Sequence, residues 1–452
     1  MNIILAGAGR IGGTLAQLLA SEGHSVTVID RDPERLSRLN ATLDVMSVCG
    51  AVDIDLLRLA GAESCDLLIA ATNSDESNIL CCMVGRKLGV RHTIARVRQE
   101  EQYRAVILLR EELGLSLTFN PEHSAAQAIG RVLRFPSAAK VDLVAKDQAE
   151  LVELRLAEGN PLCGEPLKTY HSRFGDGTLV CAVRREGRVV IPGGDFVPEP
   201  GDLVSVVGAP RHIHGLFKTL NILKKSAKFV FLVGGGRTAV YLARQLLEMG
   251  LQVKLLEKDR ARAERVKDLL PRAEVVCGDG SRYDVLDEEG LPAFDALVAL
   301  TGQDELNLVI SVYARQVGVD KVITKLNADH HAALAASFGL EAPVQPRYTT
   351  AHTVLEYVRG MENSAAVSGV ETLRRILDGQ MELLEFRARD GSACVGPTLR
   401  ELPIRRDTLV AAVIREGKCF IPRGGDSIRP GDGVLAVTTA RGMTCLEDIL
   451  KR

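Results

Sequence analysis

The chain has 452 residues, 46% of them hydrophobic and 25% charged, with a formal net charge of −2. That length implies about three or four domains, and so balanced a charge leaves no basic field to hold nucleic acid or an anionic membrane surface. No apolar run approaches the roughly 20 residues that cross a bilayer, and Met-Asn-Ile-Ile-Leu enters a strand without a charged leader, so we expect a soluble cytoplasmic protein with no direct membrane insertion.

From Met1 to about Gly114, short apolar runs (Ile3 to Leu5, Ser25 to Ile29, Asp44 to Val48, Leu67 to Ala71, Thr93 to Val97) alternate with helical patterns. Such alternation predicts parallel strands joined by right-handed crossovers, a doubly wound Rossmann-like sheet. The first strand runs into Gly7-Ala8-Gly9-Arg10-Ile11-Gly12. In such a turn the first glycine permits the tight bend, the second lets backbone approach a pyrophosphate and the third lets the helix pack closely, while the helix N-terminus faces the phosphates. Asp30 ends the second run, where a carboxylate accepts the adenosine-ribose hydroxyls and repels a 2′-phosphate. This favours NAD(H) over NADP(H), although Arg31 beside Asp30 keeps the second open. Thr72 and Asn73 end the fourth strand, either as ligand contacts or as helix-capping residues. Arg96 closes the fifth, to meet a phosphate or to pair with a neighbouring acid.

A further strand-like run, Leu115 to Phe119, leads into an amphipathic helix from Pro121 to Leu133. Its stripe of Ala125, Ile129, Val132 and Leu133 must be buried, on its own sheet or on another subunit. From about Val141 to Leu220 the pattern changes to short alternating strands with Pro-Gly turns, a small α+β unit without a nucleophile, base and orienter cluster.

The chain then repeats itself. Gly234-Gly235-Gly236-Arg237-Thr238-Ala239 and Glu257 match the first turn and its acid at an offset of 227 residues. Thr301 and Lys325 answer Thr72 and Arg96 at 229, and Arg185-Glu186-Gly187 with Pro200-Gly201-Asp202 returns as Arg415-Glu416-Gly417 with Pro430-Gly431-Asp432 at 230. Strands are expected at Val230 to Val233, Gln252 to Leu256, Glu274 to Val276, Ala296 to Leu300, Lys321 to Thr324 and Glu341 to Val344, then a helix from Thr349 to Val358. A second α+β unit follows from about Met381. The predicted boundaries are 1–138 and 225–362 for two nucleotide-binding domains and 139–224 and 363–452 for the α+β domains. Linkers are expected near Phe135 to Lys140, Lys224 to Ser226 and Gly360 to Val370.

Several residues have plainer readings. Ten cysteines without a Cys-x-x-Cys pair, most of them in apolar segments such as Ser47-Val48-Cys49 and Val275-Val276-Cys277, predict buried thiols. His212, His214, His330 and His331 lack ligand-spaced partners, so ordinary surface histidines and no metal are expected. Asp75-Glu76 and Asp304-Glu305 are expected to cap the helices that follow them.

The glycine turn, the terminal acid, the Thr-x-x-Asp-Glu-x-Asn stretch, the basic residue on strand five, Leu59-Ala60-Gly61 and the Pro-Gly-Asp module, all duplicated, together resemble the TrkA family of bacterial Trk potassium uptake systems. The resemblance covers nearly the whole chain. It implies tandem regulator-of-potassium-conductance (RCK) domains, each followed by a TrkA-C domain. It implies no chemistry, and a homotetrameric ring of eight nucleotide domains, assembled through the helix after each sheet. Such a ring would lie peripherally under a membrane potassium transporter subunit of the TrkH or TrkG type, with NAD(H) or ATP/ADP as ligands. Carried over, Gly7, Ala8, Gly9, Arg10, Ile11, Asp30, Thr72, Asn73 and Arg96 would hold one nucleotide, and Gly234, Gly235, Gly236, Arg237, Thr238, Glu257, Thr301 and Lys325 the other. The chain departs from the family at Arg237-Thr238-Ala239, at Lys325 and at Ala51-Val52, where the second copy keeps Gly278-Asp279-Gly280 and so adds Asp279 to its site. Two other readings remain: a regulator of another cation or solute transporter, which shares every motif, and an NAD-dependent oxidoreductase, which needs an acid-base residue such as His123 or His171.

Overall fold

The computed structural model describes residues 1–134, 138–145, 148–220, 227–340, 343–365, 370–377 and 380–451. In the first copy β1 (Asn2–Ala6), α1 (Arg10–Ser21), β2 (Ser25–Asp30), α2 (Pro33–Asn40), β3 (Met46–Cys49) and α3 (Ile54–Leu59) form one winding of the sheet. The other comprises β4 (Leu67–Ala70), α4 (Asp75–Lys87), β5 (His92–Arg96), α5 (Glu100–Leu108), β6 (Leu117–Phe119) and α6 (Pro121–Arg134). All six strands are parallel in the order β3-β2-β1-β4-β5-β6. The winding reverses between β1 and β4, which opens a crevice at their carboxyl ends. β4 is buried throughout, as a central parallel strand covered on both faces must be.

The next module contains β7 (Ala138–Val144), β8 (Ala149–Arg155), α7 (Tyr170–Phe174), β9 (Thr178–Arg185), β10 (Arg188–Val190), β11 (Leu203–Gly208) and α8 (Pro210–Thr219). Its antiparallel sheet runs β10-β9-β11-β8-β7. Between β9 and β10 the chain turns on Glu186 (φ 49°) and Gly187 (φ 80°). Two successive positive φ values make the type I′ hairpin that suits twisted strands.

The second copy repeats the plan. It has β12 (Phe229–Val233), α9 (Arg237–Glu248), β13 (Gln252–Glu257), α10 (Arg260–Leu269), β14 (Glu274–Cys277) and α11 (Tyr283–Glu288). Then come β15 (Ala296–Ala299), α12 (Asp304–Gln316), β16 (Lys321–Lys325), α13 (Asp329–Ser337), β17 (Pro343–Val344) and α14 (Pro346–Ala365), with strand order β14-β13-β12-β15-β16-β17. The last module holds β18 (Val370–Ile376), β19 (Met381–Arg387), β20 (Thr408–Arg415), β21 (Lys418–Phe420) and β22 (Gly433–Thr438), ordered β18-β19-β22-β20-β21. In place of α8 it closes on a short 3₁₀ turn, Leu446–Ile449.

By contact density the chain divides into two compact units, Met1–Ile129 with Phe229–Leu355 and Gly130–Lys228 with Glu356–Arg452. The first unit holds both doubly wound sheets, each with its own core: Ile4, Leu68 and Ala95 in one, Phe231, Leu297 and Ile310 in the other. Tyr241 of α9 joins the copies, its hydroxyl bonding Asn120 at 3.0 Å and the Arg98 carbonyl at 3.3 Å, while Arg244 pairs with Glu100. In the second unit the two antiparallel sheets share one apolar core, in which Leu151, Cys181, Ala182 and Val207 meet Leu383, Ala411, Ala412 and Val437.

Several expectations are corrected. The linker expected around Gly360 is helix as far as Ala365, so α14 is longer than the run from Thr349 to Val358; residues 366–369 lie outside the described residues, as do the junction at 224–226 and residues 341–342. β18 lies within the predicted 363–452 domain, ahead of the run from Met381, the expected start of its strand pattern. The expected alternation in the α+β strands is absent from β11 and β22, buried along their whole length, because each sheet is covered on both faces. Of the two burials open to the stripe of Ala125, Ile129, Val132 and Leu133, the single chain supplies one by itself, and all four are buried without a second subunit. Cys49 and Cys277 are exposed, because they end β3 and β14, the outermost strands of their sheets.

Candidate functional site

In each copy the strand-to-helix turn is set by steric limits on the backbone. Gly7 (φ 108°) and Gly234 (φ 103°) occupy conformations that side chains rarely adopt, and a Cβ on Gly7 would lie 2.9 Å from the Ala71 backbone. A Cβ on Gly12 would lie 1.8 Å from the Gly7 carbonyl oxygen, whereas the second copy accommodates Ala239 there, fully buried. Gly9 and Gly236 are the N-cap residues of α1 and α9 and provide no side-chain cap. A Cβ on either would project into open space. First-turn amides without a side-chain acceptor, behind a glycine with clear space in front, make a cradle that fits a phosphate group.

Two acids define the other end of the cleft. Asp30 accepts the Ala8 amide at 2.6 Å through Oδ2 and the Asp32 amide at 2.9 Å through Oδ1. Glu257 does the same with one more methylene, accepting Gly235 N at 2.6 Å and Asp259 N at 2.8 Å. Each acid therefore ties its glycine turn to the end of the second strand. Each is approached by an arginine from the following helix: Arg35 at 3.9 Å from Asp30, Arg262 at 3.4 Å from Glu257.

The carboxyl end of the fourth strand is ordered by an asparagine that the sequence did not single out. Asn78, fully buried, accepts from the Thr72 amide (2.8 Å) and hydroxyl (2.7 Å) through Oδ1 and donates to the Arg96 carbonyl at 2.9 Å. Asn307 repeats each contact with Thr301 and Lys325. Its signal was the last letter of Thr-x-x-Asp-Glu-x-Asn in both copies. Thr72 does not cap α4, because Ser74 takes that role by accepting from Ser77 N at 3.1 Å.

Asp75 and Asp304 do not cap their own helices either. Each is the first residue of its helix and reaches across to the next crossover. Asp75 accepts Arg98 N (2.8 Å) and Gln99 N (2.9 Å), and Asp304 accepts Asn327 N (2.7 Å) and Ala328 N (2.8 Å). His331 also differs from its expectation: only 15% exposed, it places Nδ1 3.2 Å from Asp304 and Nε2 3.6 Å from Glu305.

Arg96 points back over the turn, donating to the Thr72 carbonyl and the Asn73 side-chain oxygen, while its Nε is buried without a partner among the described residues. Burial, with Arg98 and Arg237 adding repulsion, lowers its guanidinium to about 10, still far above neutrality. Lys325 donates to the Leu300 carbonyl at 3.0 Å and is likewise lowered by burial. The charge of Arg10 in the first copy acts on Lys325, and that of Arg237 in the second on Arg96. Ile11 and Thr238 lie in the first turns of α1 and α9, Thr238 buried. Asp279, beyond β14, pairs with Lys258 at 2.7 Å. The remaining candidates lie elsewhere. His123 packs against Tyr241 with ring centroids 5.3 Å apart, and His171 sits on α7 beside Asp176.

Two such clefts on doubly wound sheets, each sheet followed by a small antiparallel module, define a tandem TrkA-N/TrkA-C protein. The TrkA-N domain model matches residues 3–121 and 230–346, and the TrkA-C domain model residues 151–221 and 383–451. The chain belongs to the TrkA family of Trk system potassium uptake proteins. It is 32% identical to the Trk system potassium uptake protein TrkA of Halomonas elongata over 439 residues (96% of this chain, 95% of that protein). With the Vibrio alginolyticus TrkA it shares 30% over 440 residues (96% and 95%), and with the TrkA homolog of Archaeoglobus fulgidus 30% over 455 (100% of each). Among solved structures, the GsuK channel (TM-score 0.65, 17% identity, 97% of this chain and 77% of that one) and the GsuK channel bound to NAD (TM-score 0.64, 18% identity, 97% and 77%) share the fold.

Proposed function

We propose that this chain is a non-enzymatic, nucleotide-sensing regulatory subunit of a Trk-type potassium transporter. The observation that carries the reading is the duplicated cleft: a helix N-terminus without a side-chain cap, an acid fixed to the turn, and a cation at the facing strand end, buried for Arg96 and half-buried for Lys325. The first nucleotide lies on Gly7 through Ile11, Asp30, Thr72, Asn73 and Arg96. The second lies on Gly234 through Thr238, Glu257, Asp279, Thr301 and Lys325. NAD(H), and also ATP/ADP, are the ligands; the GsuK structures include one with NAD and one with ADP. The four modules extend over 1–138, 139–224, 225–362 and 363–452.

Regulation follows if the nucleotides bind two arrangements of the assembly with unequal affinity, since equal affinity shifts nothing. The assembly is a homotetrameric ring, cytoplasmic and held at the inner face of the membrane by a TrkH- or TrkG-type subunit. Its self-association is supported by exposed apolar side chains at matching places on outer helices, Leu80 and Met83 on α4, Val309 and Val312 on α12. Calorimetry with NADH, NAD+, ATP and ADP on the intact chain, Asp30→Ala and Glu257→Ala tests the sites: each substitution is expected to remove one of two. Equal potassium flux with every nucleotide, in vesicles carrying the transporter, would remove the switch.

A further inference from the structure

We propose that the two clefts read the adenosine 2′ position differently, the first accepting a 2′-phosphate on Arg31 and the second rejecting it because Lys258 is tied to Asp279. This rests on the nucleotide reading above and makes it specific.

The residue after each ribose acid is a cation, Arg31 in the first copy and Lys258 in the second. Lys258 Nζ lies 2.7 Å from Asp279 Oδ2, and Asp279 Oδ1 also accepts Ser281 N at 3.0 Å and Ser281 Oγ at 2.7 Å. These contacts hold the Asp279 carboxyl down at about 2, so it is fully charged at neutral pH. The matching residue beyond β3 is Ala51, which has no carboxylate. Arg31 is exposed and makes no ion pair among the described residues.

Asp30 corresponds with Glu257, Asp32 with Asp259 and Arg35 with Arg262, while Pro33 and Glu34 of the first lip stand against Arg260 and Ala261 of the second. The cation beside Glu257 is therefore occupied by a carboxylate, whereas the cation beside Asp30, among the described residues, is not. Both oxygens of Asp30 accept backbone amides, and so do both of Glu257, so the two acids are matched and the contrast lies in the cation beside each. A guanidinium with free donors beside the 2′ position suits a phosphate by its planar fork. An exposed lysine–aspartate pair contributes little stability; its effect here is to withdraw a cation from the ligand and to present an anion in its place.

The test uses the full chain, titrated with NADH and with NADPH by calorimetry, as wild type, Arg31→Ala and Asp279→Asn; the asparagine retains an oxygen for Ser281. Ligand-free melting curves confirm that both variants fold. We expect wild type to bind NADH at two sites and NADPH at one of them at least about tenfold more tightly than at the other. Arg31→Ala should weaken that tighter NADPH site about tenfold with little change for NADH, and Asp279→Asn should tighten the weaker one. NADH binding at both sites with equal NADPH affinities, or an Arg31→Ala loss equal for both ligands, overturns the proposal alone. No NADH binding to wild type overturns the nucleotide reading beneath it.

Discussion

At the scale of residues, the thiols give a direct test of the cleft. Of ten cysteines, six are buried, two half-buried and two exposed, and the exposed pair are Cys49 and Cys277, paired in register with Asp30 and Glu257. Burial raises the Cys65 thiol to about 11 and Cys81 and Cys181 to about 12, which leaves almost no reactive thiolate at neutral pH. Ellman's reagent should therefore modify two thiols rapidly and the rest on unfolding, and saturating NADH should slow both fast ones; a fast count well above two, or no protection, contradicts the placement. Sequence could not supply this, because an apolar run such as Ser47-Val48-Cys49 does not say whether its strand is central or at the edge. A second residue-scale prediction concerns Asp202. Burial would push its carboxyl up, but the Arg185 fork at 2.8 and 2.7 Å and the Glu199 amide outweigh that and hold it below the usual range. The folded value lies under the unfolded one near 3.9, so the native state binds fewer protons. The stability gained is complete above about pH 5 and is lost as pH falls through the folded value. Asp202→Ala should cost about 2 kcal/mol at pH 7, and less at pH 3, by urea unfolding.

Elements were legible where the local pattern determines them. Every parallel strand was placed to within about two residues, since buried runs punctuated by glycine turns and N-caps such as Asp32 before Pro33 leave few alternatives. β18 was missed because Val370–Ile376 carries Glu371, Arg374 and Arg375 among three aliphatic residues, as an edge strand can. What sequence missed in the site were contacts that cross from one crossover to another, such as Asp75 to the start of α5 and Asn78 to the end of β5. The two glycine turns also differ in tightness, and this predicts opposite tolerance at matching positions. Gly12→Ala would force a methyl against the Gly7 carbonyl oxygen, and should destabilise the first copy by about 3 kcal/mol or more and abolish its nucleotide binding. Ala239→Gly should cost only about 1 kcal/mol, a matter of helix propensity. Thermal melts of the two variants, compared side by side, check it; equal losses would mean the turns are alike.

At the scale of the whole molecule, the shared core of the two antiparallel sheets couples one half of the chain to the other. Leu383, 2% exposed, faces residues of both modules. Leu383→Asp should cost about 4 kcal/mol and release hydrogen-exchange protection in β8, β9 and β11 as well as in its own sheet; loss confined to β18–β22 would show that the modules are independent. The same duplication, with Tyr241 and Arg244 joining the first copy to the second, has a consequence for divergence. In a homodimer any substitution appears on both sides of the pairing at once. Here the covalent link supplies the partner at a fixed effective concentration, so each half always meets its unlike sibling and one surface can change while its counterpart stays. Lys325 against Arg96, Ala239 against Gly12 and Asp279 against Ala51 are three such changes, each on one side only. The tandem chain is thus a pair whose members are free to become different instruments while remaining obliged to work together.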